Sequence, residues 1–112
     1  MKASFDTLLA QLPRDASEQW PAGEPFVRAM VHGTMSVEVF APNELDRQTQ
    51  HEQDEIYFVK RGTATLSISG EPLACTAGDA IFVAAGQPHQ FTNFSKDFAT
   101  WVVFWGPSGG EQ

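Results

Sequence analysis

From Phe26 onward, apolar and polar residues alternate with the two-residue period of a strand, and turn formers interrupt the alternation roughly every ten residues. Phe26–Val31 and Thr34–Phe40 read as strands around a hairpin turn at His32-Gly33. Glu55–Val59, Ala64–Ser69, Leu73–Thr76, Ala80–Ala84, Gln90–Phe94 and Phe98–Trp105 follow, separated by Gly, Pro, Asn and Asp clusters. Many short strands at even spacing predict an all-β antiparallel sandwich or barrel. Only Ser4–Leu12 departs from this rhythm. Phe5, Leu8, Leu9 and Leu12 have helical spacing, Ser4 can cap the start and Pro13 ends it, so a short helix should cover one end of the sheet. Arg14–Pro25 is a polar connection with Trp20 as a plug, and with no second helical pattern an α/β fold is excluded.

Thr100–Trp105 is apolar on both of its faces, although a strand of a two-sheet barrel normally has one wet face. The helix or a second subunit must cover the extra face. Ile56 and Phe58, opposite Glu55 and Tyr57, add to that demand, so a homodimer is expected. The chain has 112 residues, enough for one domain with a core: 1–25 the helix and connection, 26–106 the barrel, 107–112 a flexible tail. Nine Phe and three Trp predict an aromatic core or pocket. A net charge of -7 without a basic cluster argues against nucleic acid and against anionic membranes. The lone Cys75 rules out an internal disulfide and reads as a small buried hydrophobe. No signal-peptide core or membrane span is visible, and the expectation is a soluble cytoplasmic protein.

The chemistry gathers in two stretches, Thr49–Gly62 and Gly78–Asn93. If the first stretch stays extended, His51 and Glu55 point the same way, into the barrel. His89 begins a strand after the turn Gly86-Gln87-Pro88. Two imidazoles and a carboxylate on one interior point form a set that leaves coordination positions open. Tyr57, two residues past Glu55 on its face, is the candidate for a catalytic or pocket tyrosine. Glu52 and Asp54 should face outward as solvated acids, Asn93 is a turn or strand-end residue, and His32 belongs to the hairpin.

These two stretches resemble the cupins. The first family motif runs Gly, five residues, His-x-His, three or four residues, Glu, six residues, Gly, and His51, Glu55 and Gly62 match it from the second histidine on. In the second motif Gly78, Gly86, His89 and Asn93 fall in register, with Ala84 in place of the usual proline. Asn43 stands where the first motif's leading glycine falls, and Thr49 takes the place of its first histidine. The resemblance implies a jelly-roll (double-stranded β-helix) barrel with metal ligands at His51, Glu55 and His89, and leaves the fourth open to Gln48, Gln50, Gln53, Thr49, water or substrate. The implied cofactor is a divalent transition metal: Fe, Ni, Zn or Mn. The implied function is a metal-dependent enzyme of oxygenase or isomerase type acting on a small molecule in the barrel, with oxygenase chemistry ranked first. The alternative is a non-catalytic small-molecule-binding or sensor barrel, which the loss of a ligand at Thr49 mildly favours.

Overall fold

The computed structural model describes all 112 residues. One short helix, α1 (Phe5–Leu9), precedes eight strands: β1 (Phe26–His32), β2 (Met35–Phe40), β3 (Asp54–Arg61), β4 (Thr63–Ile68), β5 (Glu71–Thr76), β6 (Ala80–Val83), β7 (His89–Thr92) and β8 (Ala99–Trp105). They form a five-stranded sheet ordered β1-β2-β8-β3-β6 and a three-stranded sheet ordered β5-β4-β7. Every pairing is antiparallel. No helix is long and apolar enough to cross a membrane.

Two-residue alternation sorts the large sheet into two faces. Register aligns Phe26 with Phe40, Arg28 with Glu38, and then Glu38, Val102, Tyr57 and Ile81 in a row across the sheet. These residues face the small sheet, where Leu66 and Phe91 complete the core. The core is aromatic, as expected. Phe91 packs on Tyr57 at 4.9 Å and on Phe98 at 4.8 Å between ring centroids. Trp20 is buried against Phe26 and Phe40 and plugs the barrel from the connection. Cys75 is buried, its thiol pushed up by burial and donating to the Ala64 carbonyl at 3.3 Å.

The outer face of the large sheet is only partly covered. Phe5 packs edge-on to Trp101 at 5.2 Å and joins Val27, Val39 and Ala99 in a second cluster. The helix is shorter than its spacing predicted. After Leu9 the chain tightens into turns that still place Leu12 against this cluster, and the Ser4 hydroxyl makes no capping bond. Arg61 pairs with Asp6 and tethers α1 to β3. Beyond the helix, Ile56, Val103 and Trp105 are partly exposed, and Phe58 and Phe82 are 44% and 53% exposed.

The sharpest turn demand falls on Gly62, at φ +75° between β3 and β4. A Cβ there would meet Asp97 Oδ1 and the Phe98 backbone, each at 2.8 Å. The segment 107–112, expected to be loose, is instead hydrogen-bonded over the mouth of the barrel. Gly109 N–H donates to the Glu52 carbonyl at 2.7 Å and Glu111 N–H to Asp54 at 2.9 Å.

Candidate metal centre

Three segments deliver the predicted side chains to one place. Glu55 comes from β3, between Val83 of β6 and Phe104 of β8. His89 opens β7 opposite Ile68. His51 comes from the loop before β3, which corrects the expectation of an extended run through Thr49: β3 begins only at Asp54. What aims His51 is a cross-tie. The Gly86 N–H donates to its carbonyl at 2.8 Å, binding this loop to the β6–β7 turn, and Gly86 has the positive φ of +80° such a turn needs. One nitrogen of each imidazole and one oxygen of Glu55 lie within 4.8 Å of one another, and such a group can hold a metal ion.

The donor atoms fit a cation. His89 Nδ1 lies 2.8 Å from the Gln87 carbonyl, which only accepts, so Nδ1 carries the proton. Nε2 then faces Glu55 Oε1 at 2.8 Å, with both side chains 1% exposed. Despite this distance His89 Nε2 has no hydrogen-bond partner, and Glu55 Oε2 is also buried without one. A lone pair opposing a carboxylate in a buried site needs positive charge between them, a proton or a metal ion. Burial alone would lower the His89 pKa, but the Glu55 carboxylate outweighs it and the net shift is upward. For His51 burial dominates and its pKa falls, which favours the neutral form that ligates metals.

Around this trio stand residues with less obvious roles. Tyr57 is buried, and its hydroxyl donates to Gln48 Oε1 at 3.2 Å. Burial, with Glu55 and Asp46 nearby, holds it well above the ordinary phenol value of 10.0. Gln48 Oε1 also lies 3.4 Å from His51 Nε2. Gln53 is drawn away, donating to the Thr34 and Gly106 carbonyls, while Thr49 and Gln50 are exposed at the mouth. Asp54 is not the solvated acid expected. It is buried and accepts from the Ala85 and Glu111 N–H groups, which hold its carboxyl below the usual range. Glu52 is exposed as expected, and Asn93 sits in a turn at φ +50°.

A cavity of 680 Å³ opens from His51, Gln48 and Tyr57 toward Trp20, Phe40 and Phe104. Arg28 and Glu38 also line it, facing each other across β1 and β2. The chain's two ion pairs are Arg61–Asp6 and His89–Glu55, so Arg28 is not paired. Burial raises the Glu38 pKa, with Arg28 opposing and Glu55 adding to the shift. Sequence reasoning passed over Arg28, Glu38 and Asp46. The first two were signalled by alternation, since they share a face with Phe26 and Phe40. Asp46 lies in an irregular loop and carried no signal.

A two-sheet antiparallel barrel with two histidines and a glutamate at its interior mouth defines a class of small β-barrel proteins. The chain belongs to the cupin domain family, whose profile matches residues 36–105. It is 38% identical over 72 residues to an uncharacterised protein of Streptomyces coelicolor, covering 62% of this chain and 69% of that one. A cupin 2 conserved barrel domain protein from Salinispora arenicola superposes with a TM-score of 0.61 at 26% identity, over 72% of this chain and 74% of that one. The plu4264 protein of Photorhabdus luminescens shares the fold with a TM-score of 0.66 at 18% identity, over 95% of this chain and 86% of that one.

Proposed function

We propose that this cupin is a metal-dependent enzyme for a small molecule, with His51, Glu55 and His89 as protein ligands. The observation that carries the reading is the buried His89–Glu55 contact, with Glu55 Oε2 left without a partner and His51 within 4.8 Å of the pair. A bound divalent Fe, Ni, Zn or Mn ion would supply Lewis-acid polarisation or dioxygen activation. The chain's own residues bind and orient the substrate. Trp20, Phe40 and Phe104 shape an apolar wall, and Tyr57 keeps its phenolic proton. Arg28, which lines the cavity and makes no ion pair although Glu38 stands opposite it, favours a substrate with an anionic end.

Oxygenase chemistry ranks ahead of isomerisation, because two histidines and one carboxylate suit an iron centre with open positions. A non-catalytic binding barrel is the second reading, favoured by Thr49 where the first motif histidine stands in other cupins. Elemental analysis of protein purified without tag or chelator tests the site. One equivalent of metal, lost in His51→Ala and His89→Ala, supports it. Unchanged metal content in both variants rejects it. Ligand retention after Glu55→Gln, without turnover in the wild type, favours the binding barrel.

The uncovered apolar face around Phe58 and Phe82 supports a homodimer joined through the large sheets. The single buried cysteine fits a cytoplasmic setting.

A further inference from the structure

The amide of Gln48 has a fixed orientation. Its Nε2 donates to Asp46 Oδ2 at 2.7 Å and its backbone N–H donates to Asp46 Oδ1 at 3.0 Å. A carboxylate only accepts here, so the NH2 end must face Asp46 and Oε1 must face the other way. There Oε1 accepts from the Tyr57 hydroxyl at 3.2 Å and lies 3.4 Å from His51 Nε2, a hydrogen bond where that nitrogen carries a proton and a shared approach to a cation where it does not. Asp46 is itself immobilised. It is 3% exposed, and its Oδ2 also accepts the Phe91 N–H at 2.8 Å. Phe91 lies two residues beyond His89 on β7, so Asp46 ties the Gln48 loop to the strand that carries one ligand. Tyr57 lies two residues beyond Glu55 on β3, so the hydroxyl beside Gln48 Oε1 belongs to the strand that carries another.

We infer that Gln48 Oε1 is the fourth protein ligand of the metal centre, and that Asp46 is the positioning residue that aims it. The inference rests on the metal reading of His51, Glu55 and His89. It explains how the site tolerates Thr49. A neutral amide oxygen replaces a neutral imidazole, so the ligand set keeps the charge of a three-histidine, one-glutamate site. The replacement is a harder donor, and it shifts preference toward metals that accept carbonyl oxygen, such as Mn(II), over Zn(II).

The test is titration of metal-free protein with Mn(II) and with Zn(II), read as dissociation constants and, for Mn(II), by its electron paramagnetic resonance spectrum. Gln48→Ala is expected to weaken Mn(II) about 10–100-fold, and Asp46→Asn to weaken it by a similar factor, as loss of an orienting partner does. The double variant should bind no more weakly than Gln48→Ala, because Asp46 acts through Gln48. Gln48→His should restore affinity and move preference toward Zn(II). Wild-type Mn(II) affinity and spectrum in Gln48→Ala overturn the inference, as do additive losses in the double variant. Should Asp46→Asn fail to fold, Gln48→Ala and Gln48→His decide alone. If His51→Ala weakens Mn(II) while Gln48→Ala does not, only the fourth ligand is wrong. If the wild type binds neither metal, the metal reading itself fails and takes this inference with it.

Discussion

Glu55→Gln should have opposite effects on the metal-free and metal-loaded protein. In the metal-free protein at alkaline pH, His89 is neutral, and its Nε2 lone pair faces Glu55 Oε1 at 2.8 Å. An amide at position 55 can turn its NH2 toward that nitrogen and supply the missing donor. A buried acceptor without a partner costs about 1–3 kcal/mol, so the variant should match or exceed wild-type stability by about 1 kcal/mol, or roughly 4 °C in Tm. Metal reverses the comparison. At a hundredfold excess over Kd a ligand adds about 2.7 kcal/mol to the wild type, roughly 10 °C, and Glu55→Gln should lose most of it. The pH dependence follows from His89. Its folded pKa is raised above 6.5, so the attraction of protonated His89 to the Glu55 carboxylate contributes stability that is complete below 6.5 and lost as pH rises through the folded value. Metal-free Glu55→Gln should therefore be less stable than wild type at pH 6 and recover the difference at higher pH. Thermal melts with and without Ni(II) or Mn(II) across that range measure all three signs. A metal-free loss of about 3–5 kcal/mol that persists at alkaline pH would refute this account, because it is the mark of a structural ion pair.

Gly62→Ala should destabilise the fold by about 2 kcal/mol or more in denaturant melts, because the left-handed φ resists a Cβ and the Phe98 backbone cannot move aside. A change below about 0.5 kcal/mol would show that the turn relaxes. Phe58→Asp or Phe82→Asp should yield a monomer by light scattering where the wild type is a dimer, and a monomeric wild type at micromolar concentration sinks the dimer. Arg28→Met should weaken a carboxylate ligand of the cavity about tenfold while leaving metal content unchanged, since a charged hydrogen bond contributes about 1.5–3 kcal/mol. Asp54→Ala should speed hydrogen exchange at Ala85 and Glu111, the two amides it holds.

All eight strands were legible because polarity alternates along most of them and each ends at a turn former, and both signals are local; β5, whose one buried residue is Cys75, was marked by its turns. Their ends slipped by a residue or two where side chains, not turn residues, set the boundary. His89 joins β7 because it pairs with Ile68, a long-range fact no window of sequence contains. The C-terminal segment was misjudged for the same reason. Its glycines argue for freedom, but the buried Asp54 carboxylate and the Glu52 carbonyl hold it over the mouth.

The trio His51, Glu55 and His89 was legible through motif spacing, although the local geometry assumed for it was wrong. An extended Thr49–Glu55 segment would have put Thr49 and His51 on one face and made Thr49 the natural neighbour of the metal. The loop that forms instead turns Thr49 to solvent and brings Gln48 inward, under the control of an aspartate two residues earlier. Nothing in the spacing of Asp46, Gln48 and His51 announces this, because the decisive partner, the Phe91 N–H, lies 45 residues away. Gln48, Thr49, Gln50 and Gln53 differ in where each side chain already has a partner. Gln53 has both of its bonds elsewhere, Gln50 and Thr49 face solvent, and Gln48 alone has its nitrogen bound and its oxygen directed at the centre.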